Sequence, residues 1–231
     1  MLRFEAIRAP LMRAGEHRPG LRSGAAVAFF RGERGSADGA ACQLFGRRLK
    51  PWEYAGLAGA PDDALVEVGT LGGRLYLELS GPPGQAYRTF QLVLRVQRSL
   101  VIANDGFQIL RKRQQRRGLG LRVFARQLDH ARRLGICRIE TVAGRRSNEN
   151  GYYTWPRFGF DGRLPPAIRE SLPPGLDHCQ SVLDVMDREA GRRWWREYGV
   201  SMPVAFDMTS QSRSWEVFRR YVRKGFADYP D

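Results

Sequence analysis

Between Phe107 and Val142 the hydrophobic pattern changes period twice, and no other segment restricts the possible folds as tightly. Leu100 to Leu110 is an apolar run of strand character, followed by the glycine-punctuated turn Gln115-Arg116-Arg117-Gly118-Leu119-Gly120. Beyond the turn, Leu121, Phe124, Leu128 and Ala131 recur at spacings of three and four. Arg122, Arg126, Asp129 and Arg133 take the other faces, so the spacing predicts an amphipathic helix. Gly135 is a natural C-terminal stop, and Ile136 to Val142 returns to strand character. Strand, glycine loop, helix and strand in that order predict a βαβ unit, with both strands in one sheet.

The segments on either side fit a mixed α/β chain. Leu65 to Val68 and Arg74 to Leu79 are β-rich and flank Thr70-Leu71-Gly72-Gly73, a hairpin signal. Thr89 to Val96 alternates, with Phe90, Leu92 and Leu94 on one face and Gln91 and Arg95 on the other. The triplet Asn104-Asp105-Gly106 interrupts the next run and reads either as a tight turn or as a bulge in a longer strand. In the first 60 residues, Ala25 to Arg31 reads as a short buried strand, Gly32 to Gly39 as a loop, and Pro51 to Gly59 as the start of a helix. Prolines 165, 166, 173 and 174 predict an irregular connector. After it, Asp184 to Tyr198 reads as one helix with Trp194 and Trp195 packing inward, and Val204 to Met208 as a returning strand. Ser214 reads as the cap of a last helix to Phe226, with Trp215, Phe218 and Val222 on one side. The expected organisation is a core over residues 1–163 and a C-terminal extension over 164–231 that packs on it.

No apolar run reaches the roughly 18 residues that a membrane span needs, and the N-terminus lacks a secretory h-region. Cys42, Cys137 and Cys179 are odd in number, widely spaced and without a C-x-x-C pair, which points to reduced thiols and no zinc site. A cytoplasmic protein is the simple reading. The formal net charge is +14, a balance that attracts phosphates and nucleic acid at long range. Nearly all of it is arginine, Lys50, Lys112 and Lys224 being the only lysines, and only Arg111 to Arg117 forms a dense run. A basic nucleic-acid-binding module therefore stays among the alternatives.

The turn before the long helix carries the chemistry. A helix N-terminus presents unbonded N–H groups and partial positive charge, and glycines let that backbone approach a phosphate. Arg116 and Arg117 add charge-assisted contacts. The bland alternative is a tight β-to-α turn with solvated arginines. The string Gln115 to Gly120 also resembles the Q/R-x-x-G-x-G/A signature of the GCN5-related N-acetyltransferases. That family continues, after one helix and one strand, with Asn-x-x-Ala-x-x-x-Tyr-x-x-x-Gly-Phe. Here Asn148, Gly151, Trp155, Gly159 and Phe160 stand at those spacings. The resemblance covers about a quarter of the chain.

What it implies is an α/β (α+β) fold with a mixed, mostly antiparallel sheet. That sheet is splayed between its fourth and fifth strands, flanked by helices and followed by extra C-terminal helices. An acyl-CoA, most simply acetyl-CoA, would lie in the opening. The cofactor-binding set would be Leu110 at the end of the fourth strand, Gln115, Arg116, Arg117, Gly118, Leu119 and Gly120 at the diphosphate, and Asn148 on the cofactor arm. Asn148 would serve equally as a helix cap. The implied activity is an acyl-CoA-dependent N-acyltransferase in which an amine attacks the acyl carbonyl directly. The acceptor would be a small amine, a protein amine or an aminoacyl-tRNA, and the C-terminal helices would shape its site or mediate a homodimer contact.

Amine transfer needs a base and a donor to the departing thiolate. Trp155 replaces the family tyrosine, and its indole is a poor proton source, so Tyr153 or Tyr152 is the substitute donor, with aromatic packing as the other reading of each. Asp105 is the first candidate base if the strand runs through to Leu110, and a solvated turn residue otherwise. Glu140 is the second, and Glu149, which also reads as a first-turn helix carboxylate, the third. His130 and His178 read as exposed and solvated. Trp155 also leaves room for a non-catalytic relative that binds CoA or a partner without transferring anything.

Overall fold

A computed structural model describes residues 25–81, 87–109, 118–146 and 149–224 of the 231. Leu110, Gln115, Arg116, Arg117 and Asn148, and the basic run from Arg111 to Arg117, lie outside the described residues. The chain divides into two compact units, one up to Cys137 and one from Arg138 to Pro230. The fold is mixed α/β, with a mostly antiparallel sheet flanked by helices.

The first unit is built on five strands in spatial order β1 (Ala26–Phe29), β2 (Leu65–Leu71), β3 (Arg74–Ser80), β4 (Tyr87–Val96) and β5 (Ser99–Ile109). β1 runs parallel to β2, and the other pairs are antiparallel. The expected hairpin forms between β2 and β3, where Gly72 and Gly73 both take positive φ, 56° and 75°, as a turn matched to strand twist requires. The alternation of β4 holds, but its buried face is the polar one. Register sets Thr89, Gln91 and Val93 opposite Leu79, Leu77 and Leu75, and all six are buried, whereas Phe90, Leu92 and Leu94 are half-exposed.

Helices cover that face. The glycine-rich stretch expected as a loop is instead α1 (Arg34–Phe45). Its buried side is Ala37, Asp38, Ala40 and Ala41, and the three alanines let the helix approach closely, which outweighs the low helix propensity of Gly35 and Gly39. Next comes α2 (Pro51–Leu57), with proline at its first position and the Glu53 carboxylate accepting from the Lys50 amide at 2.8 Å. Burial pushes the Glu53 carboxyl up, but Arg47, which grips it at 2.6 and 2.9 Å, together with the Lys50 amide and charge, holds it below the usual carboxylate range.

The predicted long helix is α3 (Leu119–Arg133), and it packs on α2. The close approach falls at Gly59, whose φ is +70°; a Cβ there would sit 2.2 Å from the Val123 carbonyl oxygen. The carbonyls at and just beyond the end of α2 are met by side chains. Gln127 donates to Leu57 O at 3.1 Å, Gln91 to Ala58 O at 3.2 Å and Arg126 to Ala60 O at 2.8 Å. These bonds explain why Gln91 faces inward: a buried helix end needs donors for its open acceptors. His130 is buried as well, against the expectation of exposure, with its ring edge-on to Trp52 and so close to Gly56 that no Cβ fits between them.

In the second unit, β6 (Ile136–Ala143) pairs antiparallel with β9 (Met202–Asp207), as the two predicted strands allow. Between them lie a two-residue hairpin, β7 (Arg145–Arg146) with β8 (Glu149–Asn150), and α4 (Gly151–Arg157). The proline-rich connector contains one short helix, α5 (Pro166–Glu170). The single helix expected from Asp184 to Tyr198 is two, α6 (Val182–Asp187) and α7 (Glu189–Tyr198), with extended backbone at Arg188. Arg192 turns back to donate to Met186 O and Asp187 O, which ends α6 there. The last helix, α8 (Arg213–Lys224), is capped by Ser212, whose hydroxyl accepts from the Trp215 amide, and not by Ser214. Ser214 is buried and accepts from the Asp207 amide at 3.1 Å. The core is aromatic: Phe206 stands edge-on to Phe160, Trp215 and Phe218 at 5.7, 5.3 and 6.2 Å between centroids.

Candidate functional site

In the first unit the candidate residues gather around the start of α3. Gly118 is its N-cap residue in left-handed conformation, φ 72° and ψ 8°, with no side-chain cap and no acidic residue in the first turn. The helical ladder opens with Arg122 N–H donating to Gly118 O at 3.0 Å, so the amides of Leu119, Gly120 and Leu121 precede it. A Cβ on Gly120 would meet the Phe107 ring at 3.5 Å, ordinary contact, so internal packing does not require glycine there. Burial, and the neighbouring Arg126 charge, push the Arg122 guanidinium below its usual range. Tyr87 stands beside these two arginines, its phenol pushed up to about 12 by burial and without a hydrogen-bond partner among the described residues. The first turn of α3 thus carries no competing carboxylate of its own.

Asp105 lies inside β5, because the interruption is the bulge and not the turn. The β4–β5 register shifts between Phe90 and Gln91: Phe90 pairs with Gly106 and Gln91 with Asn104, so Asp105 is the extra residue. It is exposed, while Asn104 beside it is buried. Asn104 and Gln127 exchange amide hydrogen bonds at 3.0 and 3.2 Å, which ties the bulge to α3. This pair escaped sequence reasoning, although a signal existed: Gln127 falls on the apolar stripe, three residues after Phe124 and four before Ala131.

Glu140 and Tyr153 belong to the second unit. Glu140 is half-exposed and ion-paired with Arg138 at 2.6 Å. Glu149 sits on β8, paired with Arg146 at 3.8 Å, and not in the first turn of a helix. On α4, Tyr152 donates to Arg196 O at 2.7 Å. Tyr153 is 8% exposed; the guanidiniums of Arg157 and Arg196 lie 5.5 and 5.0 Å from its ring centroid, and its hydroxyl has no hydrogen-bonded partner among the described residues. Trp155 packs against Phe158 and Phe160 with centroids at 6.1 and 4.9 Å. Pro156 stands inside α4 and cannot supply the amide that Tyr152 O would accept, and the Trp195 indole donates there instead at 2.8 Å. His178 is exposed. Among the described residues no His, Cys, Asp or Glu cluster could hold a metal ion, and no helix is long and apolar enough to cross a membrane.

No protein-family model and no curated protein matches the chain. Among solved structures it is similar to N-acetylglutamate synthase from Neisseria gonorrhoeae, complexed with coenzyme A and N-acetyl-glutamate. The identity is 16% and the TM-score 0.31, over 58% of this chain and 26% of that one. The chain thus spans about a quarter of that structure's length, a likeness too loose to bear on chemistry.

Proposed function

We propose that this protein is an acyl-CoA-dependent N-acyltransferase of the GCN5-related kind, acting on an amine acceptor. One observation carries the reading: the glycine-capped start of α3 offers unshared amides under a signature of the family's diphosphate-binding type. A diphosphate cradle needs free N–H groups, no acidic side chain in the first turn, and a backbone that can be approached closely. Residues Gly118 to Leu121 meet these conditions, so the group fits the chain that would hold it.

In this reading the Leu119, Gly120 and Leu121 amides bind the diphosphate, with Gln115, Arg116 and Arg117 adding charge-assisted contacts. Leu110, following the end of β5, and Asn148 hold the cofactor arm. When bound, an acyl-CoA, most simply acetyl-CoA, supplies a thioester carbonyl reactive toward amines. Asp105, exposed on its bulge and without an ion-pair partner among the described residues, takes the amine proton, with Glu140 in reserve because Arg138 already engages it. Tyr153, with its unbonded hydroxyl, returns a proton to the departing thiolate where Trp155 cannot. Orienting the amine supplies much of the remaining acceleration.

The packing of Trp155 among aromatic rings favours a second reading, a CoA-binding protein without transfer activity. The two separate by measuring thermal stabilisation with CoA, then acetyl-CoA consumption with small amines, protein amines and charged tRNA. Stabilisation with turnover supports the first and stabilisation without turnover the second. No stabilisation by CoA or acetyl-CoA overturns both.

A further inference from the structure

Tyr87 opens β4 with a side chain 1% exposed, and its hydroxyl has no hydrogen-bond partner among the described residues. A buried O–H that pairs with nothing is costly, which makes such a group in a folded chain the mark of a missing acceptor.

Strand register locates that hydroxyl. Thr89 stands opposite Phe107 and Tyr87 opposite Ile109 across β4 and β5, so these four side chains share the face that the helices cover. The Phe107 ring lies against Gly120, the second residue of α3. The Tyr87–Ile109 pair is one step further along β5, toward the point where the chain leaves for α3. From there the phenol meets the first two turns of the helix, and Arg122 and Arg126 are the charges that act on it.

The groups that converge on this place are donors. A guanidinium has no acceptor atom, the amides of Leu119, Gly120 and Leu121 precede the helical ladder, and the first turn holds no acidic residue. Arg126 is engaged by Ala60 O at 2.8 Å and by Asp62 at 3.4 Å, and it offers the phenol nothing to donate to. Burial pushes the phenol up to about 12 against the pull of both arginines, so it stays a protonated donor throughout the neutral range.

We propose that the Tyr87 hydroxyl donates to a phosphate oxygen of the ligand bound at the start of α3, as the buried end of a site whose other donors are the helix amides. A phosphate suits the place because its oxygens point in several directions, so one can meet the amides while another meets the phenol. The inference deepens the acyltransferase reading and rests on it for the identity of the ligand, the CoA diphosphate. The position of the phenol stands on register and burial alone.

Tyr87→Phe tests it, since the ring stays and only the hydroxyl goes. Calorimetric titration of the full chain with CoA and with inorganic pyrophosphate should show the variant binding each ligand that the parent binds about tenfold to a hundredfold more weakly, the value of a hydrogen bond to a charged acceptor. A hydroxyl with a structural role would instead lower the melting temperature of the free protein. Here the free variant melts at or above the parent, because an unpaired buried group has been removed. Equal affinities in the two proteins, or a lower melting temperature for the free variant, overturn the assignment. A parent that binds pyrophosphate but not CoA overturns the acyltransferase reading while Tyr87 is still judged on pyrophosphate. One that binds neither overturns both.

Discussion

Replacing Gly120 by aspartate should improve the fold while damaging the ligand site, an unusual pairing that follows from the start of α3. The position is the second of the helix, φ there is not positive, and the new Cβ would touch the Phe107 ring at 3.5 Å without overlap. The first turn has no acidic residue, so a carboxylate there meets an uncompensated helix N-terminus, worth about 0.3–1 kcal/mol. Loss of glycine from a helix adds a few tenths, giving roughly 0.5–1 kcal/mol and a melting rise of about 1–4 °C for a chain of this length. The same carboxylate repels a bound diphosphate. At contact distance one pair of like charges costs about 1 kcal/mol in water and about 4 kcal/mol near a protein surface, so CoA affinity should fall about tenfold or more. Differential scanning calorimetry of the free protein and calorimetric titration with CoA read the two effects independently. A Gly120→Asp protein that melts higher yet binds CoA like the parent refutes the diphosphate cradle. One that melts several degrees lower refutes the account of the helix start.

Gly59→Ala forces a Cβ into the Val123 carbonyl at positive φ, so chemical denaturation should show a loss of about 2–4 kcal/mol. Asn104→Leu and Gln127→Leu each strand a buried amide and should cost about 1–3 kcal/mol singly, with the double variant clearly less than their sum in a denaturation cycle. Burial holds the His130 imidazole below its ordinary 6.5, against the pull of Asp129 and Glu53 and with that of Arg133 and Arg126. The unfolded chain therefore binds the extra proton first: stability is full above pH 6.5 and lost as pH falls toward the folded value, and urea titrations from pH 7.5 to 5 should show a drop that His130→Gln flattens. Trp195→Phe removes the only donor described for Tyr152 O and should lower stability by about 1–3 kcal/mol while leaving CoA binding unchanged.

The parts of the fold that were legible in sequence are those with a strong local period. The helix after Gly120 and the hairpin at Gly72-Gly73 declare themselves by spacing and turn chemistry alone. α1 did not, because its stability comes from alanines pressed on the sheet, and a Gly- and Ala-rich string has no amphipathic contrast to display. The inward face of β4 was obscured for the complementary reason: Gln91 looks solvent-facing until the open Ala58 carbonyl arrives to receive its amide, and Thr89 until its hydroxyl oxygen accepts from that same amide. His130 was misjudged in the same way, since only the glycine at position 56, distant in sequence, makes room for its ring. Of the candidate site, the glycine turn and the choice between turn and bulge at Asp105 could be framed from sequence. The clamp of Tyr152 on Trp195 and Arg196 could not, because it joins residues more than forty positions apart.

The indole that replaces a missing amide at Pro156 has a wider consequence. Helix α4 is short and carries its own interruption, so it is not self-sufficient; its completion is delivered by a residue some forty positions later. A fragment ending near residue 163 would contain the whole glycine turn and the whole Gly159-Phe160 motif, yet would leave the Tyr152 carbonyl open and strip Phe206 from Phe160. Trimming the chain at that point should therefore give an insoluble product, read by expression and sedimentation beside the full chain.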